Sequence, residues 1–541
     1  MRGESGAKRA LDGAKRLWQK SGVRWALGYA FILLCGAALV YYWRLEYGFA
    51  YFSPGTATLL VCAFFSAMYL AVFLCAHFVR QRLAVKTAVL IFCAGACFAA
   101  ANPPLQAPDE TMHFVRSYAL GMGDFTFDQN KDYPADVDAL AAAFPGFYNQ
   151  ELIAPGTASM TDGFERYRAI LDGEEAAAPN ASTVTQQFFY YLPQAAGIAA
   201  GRLFGADALA CLYLARAANL AFYALLCGAA VRLARRYLPV LIALMASPIA
   251  LFIAASCSPD AMFLGASWVF LGVCLSGALT QKRAAALAAC FAAMFYIKFT
   301  AVGMLPLLAL LAPEKQGLAK EEAKRARKKL LAAALACAAA AFVLYEALSA
   351  YTALASNYGR VPYADTGVDP AAQLAFILQN PVRYAAVFVY SLYRDKANLF
   401  SAGSFGWMDM SVPFVNYFTP MVWLFAAGLC AWEAAQEKLR NIWLMGVCAA
   451  LLYATTYTGM YLTSTPVTLP EINGVQTRYL LGAFFCVFAA AAALLGRTMA
   501  LQDAQRAKAQ KTPPAWRMLH ISYCYAALSA ILLFQSYYLG P

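Results

Sequence analysis

The chain is 541 residues long, 62% hydrophobic and only 13% charged, with a mean hydropathy of +0.53. Apolar stretches close to the roughly 20 residues that a helix needs to cross a bilayer recur along almost its full length, which excludes a soluble domain of ordinary size. The formal charge of +12 does not point to nucleic acid, because Lys and Arg cluster in short loops assigned to one side, as membrane topology demands.

Residues 1–24 carry Arg2, Lys8, Arg9, Lys15, Arg16, Lys20 and Arg24, and the positive-inside rule places this basic N-terminus in the cytoplasm. The segment 25–101 then holds three spans. Trp25 to Arg44 exits, a second from Thr56 returns to Arg80, Arg82 and Lys86, and Thr87 to Ala101 exits again. Bulky Tyr41, Tyr42 and Trp43 stand where a cleaved signal peptide wants small residues, so the first span is expected to stay as an anchor.

Residues 102–206 form a first extracytoplasmic loop, too long for a plain connection and therefore expected to be functional. At its start, Pro108 fits the first turn of a helix and Asp109 and Glu110 suit the positive end of its dipole, predicting a helix from here to about Gly121. Asp109 and His113, four apart, share a face, with Arg116 a turn further on. This gathers an acid, a base and a cation beside lipid, although the same spacing suits a solvated acidic cap. Gln186 to Phe204 must begin and end on the outer side, which predicts an interfacial or re-entrant helix.

In the core, residues 207–350, Ala208 to Val231 descends, Pro239 to Ala255 rises, Ser256 to Asp260 turns outside, and Ala261 to Leu279 descends to Lys282 and Arg283. Ala284 to Pro313 has basic residues at both ends, which predicts a hairpin of two short helices with Lys298 at its outer bend; Leu330 to Ala350 then exits. Residues 351–412 form a second outer loop with amphipathic stretches around Phe376 and Val387. The segment 413–541 adds spans at Pro413 to Trp432, Ile442 to Leu462, Tyr479 to Leu495 and Met518 to Leu539. The expected fold is an all-α polytopic membrane protein of about 13 transmembrane helices, N-terminus inside and C-terminus outside. The 15 cysteines fall mostly within apolar runs and read as small buried hydrophobes.

Charges in or beside a membrane are costly, so each is a functional candidate. Four stand at the outer face: Asp109 with Glu110 and His113; Asp260 in Ser258-Pro259-Asp260; Lys298 between Tyr296 and Phe299; and Arg478 within Gly474 to Tyr479. Singly, Asp260 can merely cap a helix, Lys298 snorkel and Arg478 anchor its span. Together they suggest a site that deprotonates a hydroxyl and holds a phosphate, as sugar transfer from a lipid phosphate requires. Glu110, Asp260 or His113 could instead hold a divalent cation such as Mg or Mn, and the spacing does not decide. A transporter or flippase of a lipid-linked envelope precursor is the competing reading. It needs charges continuing across the core, where Arg216 and Glu346 are the mid-span candidates.

The stretch APDETMHFVRSYALGMGDF resembles the PDE-x-x-H-F-x-R-x-Y signature of the bacterial membrane family called domain of unknown function 2142. The likeness continues through Ser256 to Asp260, Tyr296-Ile297-Lys298, Phe405 to Asp409 with Pro413, and Gly474 to Tyr479. That family is similar in turn to the GT-C superfamily of membrane glycosyltransferases, whose juxtamembrane PPLYY-type helices are echoed by Phe188 to Pro193. The resemblance implies a GT-C-like bundle in a bacterial plasma membrane. It also implies a polyprenyl-phosphate sugar donor, an envelope glycan or lipid acceptor, and inverting transfer at the outer face. By that analogy Asp109 is the general base and Glu110 a metal or acceptor ligand, Lys298 and Arg478 hold the donor phosphate, and Arg116, Asp260, Trp407, Asp409, Gln476 and Tyr479 join the substrate site. Thr111 and Thr477 depart from the pattern, standing where the family often has proline and glycine.

Overall fold

The computed structural model describes residues 21–47, 54–78, 82–125, 133–144, 160–173, 188–313, 320–355, 367–407, 410–500 and 514–538. The basic segment 1–20, Asp409 and most of 145–187 lie outside the described residues. The chain divides into residues 1–82 with 539–541, and residues 83–538. In the first unit α1 (Ser21–Tyr47) pairs with α2 (Pro54–Phe78). Trp25 closes that pair edge-on against Tyr69 and Phe73.

The second unit runs through α3 (Leu83–Ala101), α4 (Glu110–Gly121), α5 (Ala135–Ala143), α6 (Met160–Leu171), α7 (Leu192–Leu203), α8 (Ala208–Leu233), α9 (Leu238–Met245), α10 (Pro248–Ala254), α11 (Asp260–Cys274) and α12 (Gln281–Ile297). It continues with α13 (Lys320–Ala355), α14 (Pro370–Gln379), α15 (Pro381–Arg394), α16 (Pro413–Ala434), α17 (Leu439–Ser464), α18 (Leu481–Ala500) and α19 (Pro514–Tyr538). Among the described residues, 7 helices are long and apolar enough to cross a membrane, and Val61–Cys75, Asp260–Cys274 and Phe299–Leu310 are shorter apolar helical stretches. The chain is a helical membrane protein.

α8 is the hub, packed against α3, α7 and α11. Its approach to α11 depends on a missing side chain: a Cβ at Gly272 would lie 2.7 Å from the Ala230 carbonyl oxygen. Small residues at such crossings let backbones come close where lipid supplies no hydrophobic drive between helices.

Pro239 to Ala255, expected as one rising span, is broken. α9 ends at Met245, and α10 restarts at Pro248, whose ring cannot continue the preceding helical ladder. Both halves are buried along their lengths apart from Leu238, the condition under which a broken helix persists at membrane depth. Phe188 to Phe204 contains a 3₁₀ turn, Phe188–Tyr191, and then α7. At roughly 18 Å, α7 is too short to span a bilayer core of about 30 Å.

The hairpin expected over Ala284 to Pro313 is present as α12 followed by the 3₁₀ helix Phe299–Leu310. Lys298 between them is extended, with φ −146° and ψ 112°. The two feet are tied, Ala278 pairing with Ala312 and Leu279 with Pro313. At the start of the first large loop, α4 to α8 close over a second core that includes Phe114, Tyr118, Leu140, Phe144, Tyr167 and Leu212.

Candidate functional site

The site is built on a buried ion pair. Arg216, in the middle of apolar α8, donates from Nε to Glu110 Oε1 at 2.8 Å and from Nη2 to Oε2 at 2.7 Å. Its remaining donors go to the carbonyls of Ala99, Asn102 and Pro103, the end of α3, where helical carbonyls lack partners. All five guanidinium N–H groups are thus used. Glu110 also accepts from the Cys257 N–H at 3.1 Å and the Ala107 N–H at 3.3 Å. Both side chains are wholly shielded from solvent. Glu110, expected as a metal or acceptor ligand, has its oxygens engaged in fixing the starts of α4 and α11.

The turn before α11 is held from three sides. Asn219 Nδ2 on α8 donates to the carbonyls of Ser256 at 2.7 Å and Ser258 at 3.0 Å. Gln194 on α7 donates to Cys257 O at 3.2 Å, and Glu110 takes the Cys257 N–H. The first residue of α11, Asp260, is delivered by this clamp into the core. Its Oδ1 lies 2.9 Å from Lys298 Nζ and its Oδ2 accepts from Arg478 Nε at 2.7 Å. One carboxylate between two cations leaves one positive charge uncompensated. Tyr479 completes the group, with its hydroxyl accepting from Arg478 Nη2 at 3.1 Å and its ring 3.8 Å beneath Lys298 Nζ, a cation–π contact.

His113 lies one turn into α4, with Nδ1 2.8 Å from the Tyr191 hydroxyl. Burial holds its imidazole below its ordinary range; Asp109, Asp260 and Glu110 pull it back up, and the Arg478 charge pushes it further down. The neutral ring can therefore accept or donate a proton at one nitrogen while Tyr191 orients the other.

Asp109 differs from every other acid of the group. Its backbone is left-handed, φ 58° and ψ 15°, and its side chain does not cap α4. Aspartate tolerates that conformation better than most residues. The side chain is partly exposed, and its charge reaches Arg478 and His113.

Lys298, at 21% exposed, is the most accessible of Asp260, Lys298 and Arg478. It lines a cleft of about 510 Å³ with Tyr296, Phe299, Phe342, Glu346, Thr456 and Tyr479. On the buried side, a void of about 10 Å³ between Pro108, Gln476 and Arg478 leaves room for a single water. Gln476 Oε1 is buried there without a hydrogen-bond partner.

Of the remaining candidates, Arg116 donates to the carbonyls of Phe125 at 3.0 Å and Asp124 at 3.4 Å, so it closes the end of α4 and lies 4% exposed. Trp407 follows the short pairing of Ser404 and Phe405 with Met410 and Ser411. Asp409 lies outside the described residues. Among the described residues no group of three or more His, Cys, Asp or Glu side chains is placed to hold a metal ion; Asp260, the other metal candidate, has both oxygens on cations.

A family model described as a predicted membrane protein, DUF2142, matches residues 92–486. The chain belongs to the DUF2142 family. No curated protein and no solved structure matches it. The matched span of this DUF2142 member contains the whole Asp109, Glu110, His113, Asp260, Lys298 and Arg478 group and omits α1, α2 and α19.

Sequence reasoning gave no role to Tyr191, Gln194 and Asn219, and read Arg216 only as a mid-span charge of a transport path. Arg216 had a signal, a lone charge in an apolar helix, which demands a partner. The other three are ordinary polar residues whose importance comes from what they touch.

Proposed function

We propose that this chain is an inverting membrane glycosyltransferase of GT-C-like architecture, moving a sugar from a polyprenyl-phosphate donor to an envelope polysaccharide, teichoic acid or glycolipid acceptor. In this reading about 13 helices cross a bacterial plasma membrane with the N-terminus inside, and the Asp260 cluster faces the outer side. The observation that carries it is a partly exposed carboxylate, Asp109, whose charge acts on Arg478 of a two-cation cluster; the other cation, Lys298, lines an apolar cleft.

Lys298 and Arg478, pre-set by Asp260, receive the donor phosphate, and their surplus positive charge stabilises the phosphate as it leaves. The acceptor hydroxyl oxygen bonds to the anomeric carbon while the bond from that carbon to the phosphate oxygen breaks, its electron pair going to the phosphate. The acceptor proton passes to Asp109. A single displacement of this kind inverts the anomeric centre.

A transport reading requires charges leading onward through the core. Arg216, sealed against Glu110 and three carbonyls, offers no free group to such a path, which favours transfer. The test is purified protein in lipid nanodiscs, short-chain prenyl-phosphate sugars and a panel of acceptors, with product read by mass spectrometry. Transfer by the parent and none by Asp109→Asn is expected; normal product from Asp109→Asn would remove the base assignment, and movement of lipid without transfer would remove the enzyme.

A further inference from the structure

The cleft beside Lys298 has polar groups that the transfer step does not use. Glu346 is a carboxylate on α13, a turn beyond Phe342, which packs edge-on to Phe295 at 5.3 Å and lines the same cleft. It sits about 24 Å along the helix axis from Leu330, within a stretch otherwise apolar. A charge in such a stretch needs a reason. Thr456 on α17 lines the cleft too. It is 2% exposed, and its hydroxyl is buried without a hydrogen-bond partner. A buried hydroxyl left unpaired carries a desolvation cost that a hydrogen-bonding ligand removes. Thr300, 9% exposed, adds a third polar residue to the wall.

We infer that this cleft is a headgroup pocket for a hydroxyl-bearing prenyl phosphate. Lys298 takes the phosphate, Glu346 and Thr456 bind hydroxyl groups of the sugar, and the aromatic wall of Phe299 and Phe342 meets the first prenyl units. The inference deepens the transferase reading and rests on it for the identity of the lipid, but concerns recognition alone. Its physical content is discrimination: a site built to hydrogen-bond hydroxyls binds poorly to an analogue that lacks them, because its polar groups then stay unpaired. Lys298 and Tyr479 form the pole that any prenyl phosphate can use, with or without a sugar.

The test measures binding, not turnover. Purified full-length protein is titrated with farnesyl phosphate and with its glycosylated form, retention being read by native mass spectrometry. The parent should prefer the glycosylated lipid by about tenfold or more, the scale of a hydrogen bond to a charged group. Glu346→Gln and Thr456→Val should each reduce that preference and leave farnesyl phosphate binding unchanged, while Lys298→Ala weakens both lipids. A parent with no preference, or variants that both keep it, overturns the inference. Transfer without a Glu346-dependent preference would remove this inference alone; a preference without any transfer would remove the enzymatic reading and leave the pocket standing.

Discussion

Glu110 and Arg216, 106 positions apart in the chain, meet in a two-pronged ion pair with no exposed surface on either side chain. The energy of such a pair lies mostly in what its rupture leaves behind, since a charge stranded in a low dielectric cannot be rescued by water.

Arg216→Ala or Glu110→Ala is therefore expected to destabilise the protein by about 3–5 kcal/mol and to lower yield in membranes. Thermal unfolding of the detergent-purified variants gives the answer; a melting point within a degree or two of the parent would show that the pair is dispensable.

Asp260 and Lys298 separate stability from chemistry. Asp260→Asn leaves Arg478, only 6% exposed along its side chain, without its counter-charge, and should cost several kcal/mol, about 3–5 by the same reasoning. Lys298→Ala removes a cation that is 21% exposed, so its cost should be about 1 kcal/mol or less. If Lys298 holds the donor phosphate as proposed, transfer should nonetheless fall on the order of 10²-fold or more. Equal losses of stability in the two variants would contradict this division.

Asp109 offers a backbone test. Asparagine shares aspartate's tolerance of the left-handed region, whereas alanine does not, so Asp109→Ala should be less stable than Asp109→Asn by about 1 kcal/mol. Both should lack transfer activity. If alanine is as stable as asparagine, the left-handed turn at the head of α4 carries no strain for the side chain to relieve.

His113 predicts a pH dependence. Its imidazole is held below its ordinary value of 6.5, chiefly by burial. As pH falls through and below that value, the unfolded chain takes up a proton that the folded protein refuses, so stability drops on acidification. Above it neither state is protonated there and the contribution vanishes. Melting points measured from about pH 5 to 8 should show a shallower acid slope for His113→Gln than for the parent. An unchanged slope would assign the acid sensitivity to other groups.

Much of this arrangement could be read in advance wherever a local rule applied. The head of α4, the break at Lys298 and the amphipathic helices α14 and α15 follow from proline, dipole, charge-side and periodicity arguments that involve a few neighbouring residues. Partners could not be read in that way. Asp260 and Arg478 are 218 positions apart, and nothing in either motif says which cation meets which acid. Arg216 was visible as a charge inside an apolar run, yet without coordinates it fitted a translocation path as well as an ion pair with Glu110. The division of Pro239 to Ala255 into α9 and α10 was missed because hydropathy continues unbroken through Ser247, and Pro248 alone changes the geometry.

The tied feet of the α12 hairpin give it the properties of a ruler. With Ala278 fixed to Ala312 and Leu279 to Pro313, the number of residues in each arm sets how far Lys298 projects. Adding or deleting one residue in either arm would shift the ammonium group and turn it away from Asp260 while leaving every side chain of the cluster in the sequence, so arm length sets the register of this ion pair.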